Sequence, residues 1–142
     1  MKQFVKHFFA NTPLSNSGND VVLLLFRLFA GGLMLPYGWG KIVKYDEYCI
    51  NFFEDPIGIG MIPSLWLTIF AQLGCSVMLM AGFMSRASAA ILAFNMAVAT
   101  AYHWHDGLAT VSLPALFLAI YIYLTMTGAG RLSVDTLLFK NR

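Results

Sequence analysis

The stretch Val21–Ile42, VVLLLFRLFAGGLMLPYGWGKI, decides how the rest of the chain is read. At a rise of ~1.5 Å per residue it is long enough to cross a hydrocarbon core of ~30 Å. It also carries a charge, Arg27, within its inner half. An arginine at that depth costs about 2.5 kcal/mol or more, so it faces a bundle interior, a partner or water. Arg27, Gly31, Met34, Gly38 and Lys41 are spaced 4, 3, 4 and 3 residues apart and share one stripe of a helix. Glycines on that stripe let a second backbone approach closely. The stripe therefore reads as a packing seam with one cation buried in it and another at its far end. Arg27 is read either as a ligand-facing charge or as a residue that snorkels or pairs within the bundle.

The composition agrees with a membrane-embedded chain. Of 142 residues, 58% are hydrophobic and 11% charged, and the mean hydropathy is +0.68. That is too apolar for a soluble domain of this length, which allows one compact unit over 1–142. The net charge of +2 comes without any basic run or aromatic-interleaved basic patch, which excludes a nucleic-acid-binding surface. The cysteines, Cys49 and Cys75, form no CxxC motif, and one is expected outside a span and the other inside, so no disulfide is expected between them. Lys2 and Lys6 give a basic start, but no sustained apolar run follows as in a secretory signal.

Working outward from the first span, Phe4, Val5, Phe8 and Phe9 suggest a short interfacial helix, and Asn11–Asp20 a polar turn with Asp20 as an N-cap. Pro36 is expected to kink the span, with Tyr37 and Trp39 at interface depth. Tyr45, Tyr48, Cys49 and Phe52 follow at i, i+3, i+4 and i+7, the apolar stripe of a short surface helix that ends in a turn at Asp55–Gly58. Further spans are predicted at about 62–83, 87–104 and 110–127, with Gln72 and Asn95 at mid-depth and Gly128–Gly130 as a stop. A last helix is expected after Ser133, along the inner interface. The predicted fold is thus an all-α, integral membrane four-helix bundle with interfacial helices at the N-terminus, in the first outer loop and at the C-terminus. If the N-terminus is inside, the inner segments hold Lys2, Lys6, Arg86, Arg131, Lys140 and Arg142 against Asp20 and Asp135. The outer ones hold Lys41 and Lys44 against Asp46, Glu47, Glu54, Asp55 and Asp106. This bias places both termini in the cytoplasm.

These residues resemble the DoxX family of small bacterial membrane proteins. The resemblance rests on Arg27-x3-Gly31 continuing to Gly38-x2-Lys41, on Gln72-x-Gly74 running to Gly82 and Arg86, and on Asn95–Ala99. A last motif spans Gly128, Gly130, Ser133 and Asp135. Together the motifs cover nearly all of 21–135. Two positions depart from the family pattern: Tyr37 stands where a histidine is common, and Gln72 where a glutamate is common. An amide does not titrate, so a proton-handling role for that carboxylate does not carry over. The resemblance implies a four-helix bundle in the bacterial inner membrane with redox or stress functions often linked to quinones. Relatives of this kind include a subunit of thiosulfate:quinone oxidoreductase and proteins tied to quinone or catechol resistance. It also marks Gly31, Gly38, Gly82, Arg86, Gly128, Gly130, Ser133 and Asp135 as structural positions.

Two polar zones are expected. Gln72 and Asn95 form one at mid-depth. Tyr37, Lys41, His103, His105 and Asp106 gather at the outer end, with Tyr37, Lys41 and His103 as donors for a quinone carbonyl or a small anion and Trp39, Trp66 and Trp104 available to stack on a flat ring. An ordinary aromatic belt is the alternative reading. Arg27 and Lys41 lie ~21 Å apart by helix rise and cannot both grip one head group. The candidate ligand-binding residues are Arg27, Tyr37, Lys41, Gln72, Asn95 and His103, with Asp135 the expected partner of Arg27 and Asp20, two turns earlier on its face, the alternative. No complete catalytic constellation is visible. Haem is a poor fit because His103 and His105 share one helix end, and i, i+2 spacing is wrong for paired metal ligands, so neither haem nor metal is expected. The leading function is quinone or lipophilic-ligand binding in a redox pathway. The alternatives are a membrane scaffold for a soluble redox or metal-handling partner, and a small-solute transporter that would need a homo-oligomer.

Overall fold

A computed structural model describes residues 17–50 and 55–139. The interfacial helix expected from Phe4 to Phe9, and Phe52 of the outer stripe, lie outside the described residues. The helices are α1 (Ser17–Val43), α2 (Tyr45–Ile50) and α3 (Met61–Ile69), which passes through a π turn (Phe70–Cys75) into α4 (Ser76–Ala81). Then come α5 (Ser85–Tyr102), a 3-10 turn (His103–His105), α6 (Leu108–Thr127) and α7 (Val134–Phe139). No strand occurs among the described residues. The protein is an all-α membrane bundle. Its four long members are α1, the α3–π–α4 rod, α5 and α6, and each packs on its neighbour in chain order, with α6 closing against α1.

Three of these four are long and apolar enough to cross a membrane: Gly18–Val43, Met61–Ala81 and Leu108–Thr127. The fourth expected span, 87–104, forms as helix α5 but does not meet that standard. Ser85, Arg86 and Ser88 in its first turn, and Asn95 further on, lower its hydropathy. Its buried face is correspondingly small and partly polar: Ser85, Ser88, Ala89, Leu92 and Met96. The start of α1 also differs from expectation. Residues 18–20, expected in a turn, are helical, and Asp20 lies in the first turn of α1. Its carboxylate accepts a hydrogen bond from the Arg131 N–H at 3.0 Å, which ties the later Gly130 corner to α1. The helix continues through Pro36 to Val43.

The seam predicted on α1 is the buried seam. Arg27, Ala30, Gly31, Met34 and Gly38 are all buried, whereas Val22, Phe29 and Trp39 lie on the outside of the bundle. A Cβ at Gly31 would sit 2.5 Å from Met80 Cγ and 3.0 Å from the Ser76 carbonyl oxygen, and one at Gly38 would sit 2.6 Å from Leu73 Cγ. Hydrogen at these positions is what lets α1 lie against the α3–π–α4 rod. The core beside the seam is Met34, Cys75, Leu79, Leu92, Phe117 and Leu124. Tyr121 crosses it, its hydroxyl donating to the Ala30 carbonyl oxygen at 3.0 Å. Both Cys49 and Cys75 are free thiols.

The turn after α4 is a Schellman closure: Gly82 N–H donates to Leu79 O at 3.1 Å and Phe83 N–H to Met78 O at 2.9 Å, with Gly82 left-handed at φ 75°. Met84 follows at φ 45°, an unusual conformation for a side-chain-bearing residue. Residues late in the chain hold this corner in place. Asp135 accepts from Met84 N–H at 2.8 Å and Ser85 N–H at 3.1 Å, and its own N–H donates to the Gly82 carbonyl at 3.0 Å. Ser133 caps α7, its Oγ accepting the Thr136 N–H at 3.2 Å.

This packing separates the glycines of α1. Gly31→Ala is expected to destabilise the bundle by ~1–3 kcal/mol through overpacking, whereas Gly32→Ala, whose Cβ would meet nothing within 4 Å, is expected to be neutral or slightly stabilising. Thermal unfolding of the two variants in one detergent, followed by circular dichroism, checks the difference.

Candidate functional site

At the end of the bundle opposite Gly82 and Asp135, a cavity of about 810 Å³ lies between the α3–π rod and α5. That size lies within the ~300–1,000 Å³ of small-molecule sites. Leu67, Phe70, Ile91 and Phe94 form its walls. All four also belong to the exposed outer face of the helices, the face turned to lipid in a bilayer. Glu47 and Tyr48 of α2, with Pro56 and Ile57 of the following loop, form the outer part, and His103 and Tyr102 stand at the end of α5.

Lys41, Gln72 and Asn95 belong to the polar part of the lining, with Ser64 and Thr68 of α3 and with Glu47 and His103 further out. Lys41 Nζ donates to Gln72 Oε1 at 3.0 Å, and Gln72 Nε2 donates to Asn95 Oδ1 at 3.4 Å. Three elements meet in this chain: α1, the π turn and α5. The two polar zones expected from the sequence are therefore joined, because the lysine stem reaches from the outer end of α1 down to the mid-depth amide. An ammonium has three donors, so the bond to Gln72 leaves two for a ligand acceptor.

The π turn carries Gln72, which is buried. A π turn replaces i→i+4 bonding with i→i+5 over one widened turn and recurs at functional sites. No feature of hydrophobic periodicity signals it, and the second span reads from the sequence as uninterrupted. Gly74 is compatible with the widened turn: a Cβ there would meet the Phe70 ring at 3.2 Å.

Asp55 organises the loop over the cavity. Its carboxylate accepts the N–H groups of Gly58 (3.0 Å), Ile59 (3.3 Å) and Gly60 (2.6 Å) and the Ser64 hydroxyl (2.6 Å). These bonds favour the anion, chiefly the one from Ser64, and hold the Asp55 carboxyl below its ordinary range. Proline and glycine at 56–60 announce a turn in the sequence, but the reach of Asp55 to Ser64 on α3 is not visible there.

Not every predicted ligand residue belongs to this cavity. Lys41, Gln72, Asn95 and His103 line it. Tyr37 does not, and its side chain is exposed on the outside of α1. Trp39, Trp66 and Trp104 are exposed as well, and Trp66 packs on Tyr45 of α2 with ring centroids 5.7 Å apart. Arg27 sits at the other end of the bundle, fully buried, and its Nη2 donates to the Leu132 carbonyl. Asp135, expected to pair with it, instead gives both carboxylate oxygens to the backbone of Met84 and Ser85 and acts on Arg27 only through its charge. The helix start at Ser85 competes successfully for that acid because its N–H groups have no partners within the helix.

A family model, DoxX, matches residues 22–105, more than half of the chain and all of the elements that build the cavity. The chain belongs to the DoxX family. No curated protein and no solved structure matches it. In this DoxX protein the matched segment contains Arg27, Lys41, Gln72, Asn95 and His103, while Ser133 and Asp135, which complete the opposite end, lie beyond it.

The Asp55 loop has a defined pH response. A carboxyl held low in the folded state contributes its full stabilisation above the ordinary carboxylate range and loses it as pH falls through the lower folded-state value. Amide exchange at Gly58, Ile59 and Gly60 is therefore expected to accelerate on acidification in the wild type beyond its intrinsic pH dependence. In Asp55→Asn it is expected to be fast throughout and to lack that step.

Proposed function

We propose that this DoxX protein binds a quinone, or a similar flat lipophilic molecule with an acceptor oxygen, in the cavity between the α3–π rod and α5, and serves a redox or stress-response pathway in the bacterial inner membrane. The observation that carries the reading is the Lys41 ammonium, held on Gln72 within a mainly apolar cavity. Lys41 would hold the acceptor oxygen with its remaining donors. Gln72 and Asn95 would position that lysine, and Phe70 and Phe94 would flank an apolar ring. A bound quinone would supply two-electron carrier chemistry. Exposed wall residues give such a molecule access from the bilayer side. The charge bias of the loops supports an orientation with both termini in the cytoplasm, which turns the cavity end outward.

Extraction of the detergent-purified protein and mass spectrometry of the organic phase test the reading. Wild type is expected to carry a stoichiometric quinone, and Lys41→Met to bind added menadione at least ~tenfold more weakly, as removal of a hydrogen bond to a charged donor worth ~1.5–3 kcal/mol implies. Arg27→Leu is expected to affect retention only through stability. The absence of quinone from well-folded wild type, with no uptake of added menadione, would favour the alternative of a scaffold for a soluble partner.

A further inference from the structure

We infer that His103 and Asp106 form a proton-accepting pair at the outer end of the cavity, so that the site takes lipophilic ligands bearing an acidic hydroxyl, a phenol or a hydroquinone, and holds them as the oxygen anion. This rests on the cavity reading above and narrows its ligand class.

The pair is built by one 3-10 turn. The Asp106 N–H donates to the His103 carbonyl oxygen at 2.9 Å, which brings the two side chains together, and His103 Nδ1 lies 2.7 Å from Asp106 Oδ2. An ionised carboxylate only accepts, so Nδ1 carries the proton of this bond, and in the neutral ring that leaves the lone pair on Nε2. The Tyr102 ring meets the imidazole edge-on, with centroids 5.3 Å apart at 89°, and limits its rotation. His103 lines the cavity, while the side chains of His103 and Asp106 are 33% and 55% exposed. The pair therefore connects the cavity with the surface.

Among the described residues, one cation lines the cavity as a counter-charge for an anionic guest. Lys41 of α1 is the cation among the lining residues, and Glu47 of α2 is the acid. Tyr48 of α2 and Tyr102 of α5 are the neutral titratable groups, and Asp106 lies beyond the lining on the imidazole's own turn. Glu47 is drawn towards Lys44, 3.8 Å away, on the exposed side of α2. The group that holds Lys41 is the neutral amide of Gln72, and among the described residues no salt bridge engages the Lys41 ammonium in competition with a ligand oxyanion.

In the step itself the ligand O–H bond breaks and its proton joins the Nε2 lone pair. The electron pair stays on the ligand oxygen, with Lys41 as counter-charge. The imidazolium keeps its Nδ1–H on Asp106 and its Nε2–H on the ligand oxyanion, so the proton stays within the pair and the anion is held at equilibrium. No electron leaves the ligand, and no oxidant is involved.

An alkyl-substituted 4-nitrophenol reports this directly, because its phenolate absorbs in the visible and its phenol does not. Added to the purified full-length protein, the bound probe is expected to ionise with a midpoint at least one pH unit below that in detergent alone, about a tenfold shift in the equilibrium. Both His103→Gln and Asp106→Asn are expected to return the ionised fraction of bound probe at least ~tenfold towards the detergent value. That fraction is read per bound molecule and does not depend on how much binds. Menadione, which has no hydroxyl, is titrated alongside. If menadione binds wild type while the bound nitrophenol stays neutral, or ionises equally in both variants, the proton-accepting pair is overturned and the cavity reading stands. If folded wild type binds neither probe, both fail.

Discussion

A fully buried guanidinium is the constraint on which the inner half of this bundle depends. Arg27 is enclosed among helices that offer it no intramembrane acid, and its Nε and Nη1 groups find no hydrogen-bond partner among the described residues. A buried charge without partners is far more costly than one partly compensated. The compensation comes from residues late in the chain: the Leu132 carbonyl accepts from Nη2, and Asp135 supplies the nearby negative charge. The return of residues 128–135 beneath the bundle is therefore part of the fold. It also explains Gly82, where a Cβ would collide with Arg27 and Ser133 and where the backbone is left-handed.

The two ends of α1 solve the same problem in different ways. Arg27 is sealed by backbone and by a carboxylate acting at a distance. Lys41 is held by a neutral amide and keeps donors to spare. The second arrangement opens on the cavity between the α3–π rod and α5. The glycine seam between them, Gly31 and Gly38, sets how closely α1 lies against the α3–π–α4 rod, and so where the lysine stem emerges relative to Gln72. Tyr121, bonded to the Ala30 carbonyl, fixes α6 against the middle of that seam.

Features with a helical period were legible in the sequence. The stripe Arg27–Gly31–Met34–Gly38 is buried as spaced, with Lys41 half-buried at its end, and the four motifs between Arg27 and Asp135 pointed to the DoxX family. What depended on side-chain reach was not legible. Lys41 and Gln72 were placed at different depths because helix rise locates a Cα and not the end of a four-carbon stem. Asp135 was assigned to Arg27 by charge alone, although unpaired N–H groups at the start of α5 made the stronger local claim. The π turn leaves no trace in periodicity, and the polar first turn of α5 kept it from meeting the standard of a span. Tyr37 belonged by type to the donors and by helical angle to the outside.

The position of the cavity walls has a consequence for selectivity. Leu67, Phe70, Ile91 and Phe94 border hydrocarbon as well as the cavity. A guest arriving from the bilayer leaves acyl chains for aliphatic and aromatic side chains of similar polarity, and the solvent-exclusion term that drives binding from water largely cancels. Tail length and oiliness then set how much of a molecule is dissolved in the membrane, but they distinguish poorly between molecules once there. For the guest proposed above, discrimination would fall to polar groups such as those of Lys41, Gln72, Asn95 and His103, and an apparent affinity would be a property of the lipid-to-protein ratio as much as of the protein.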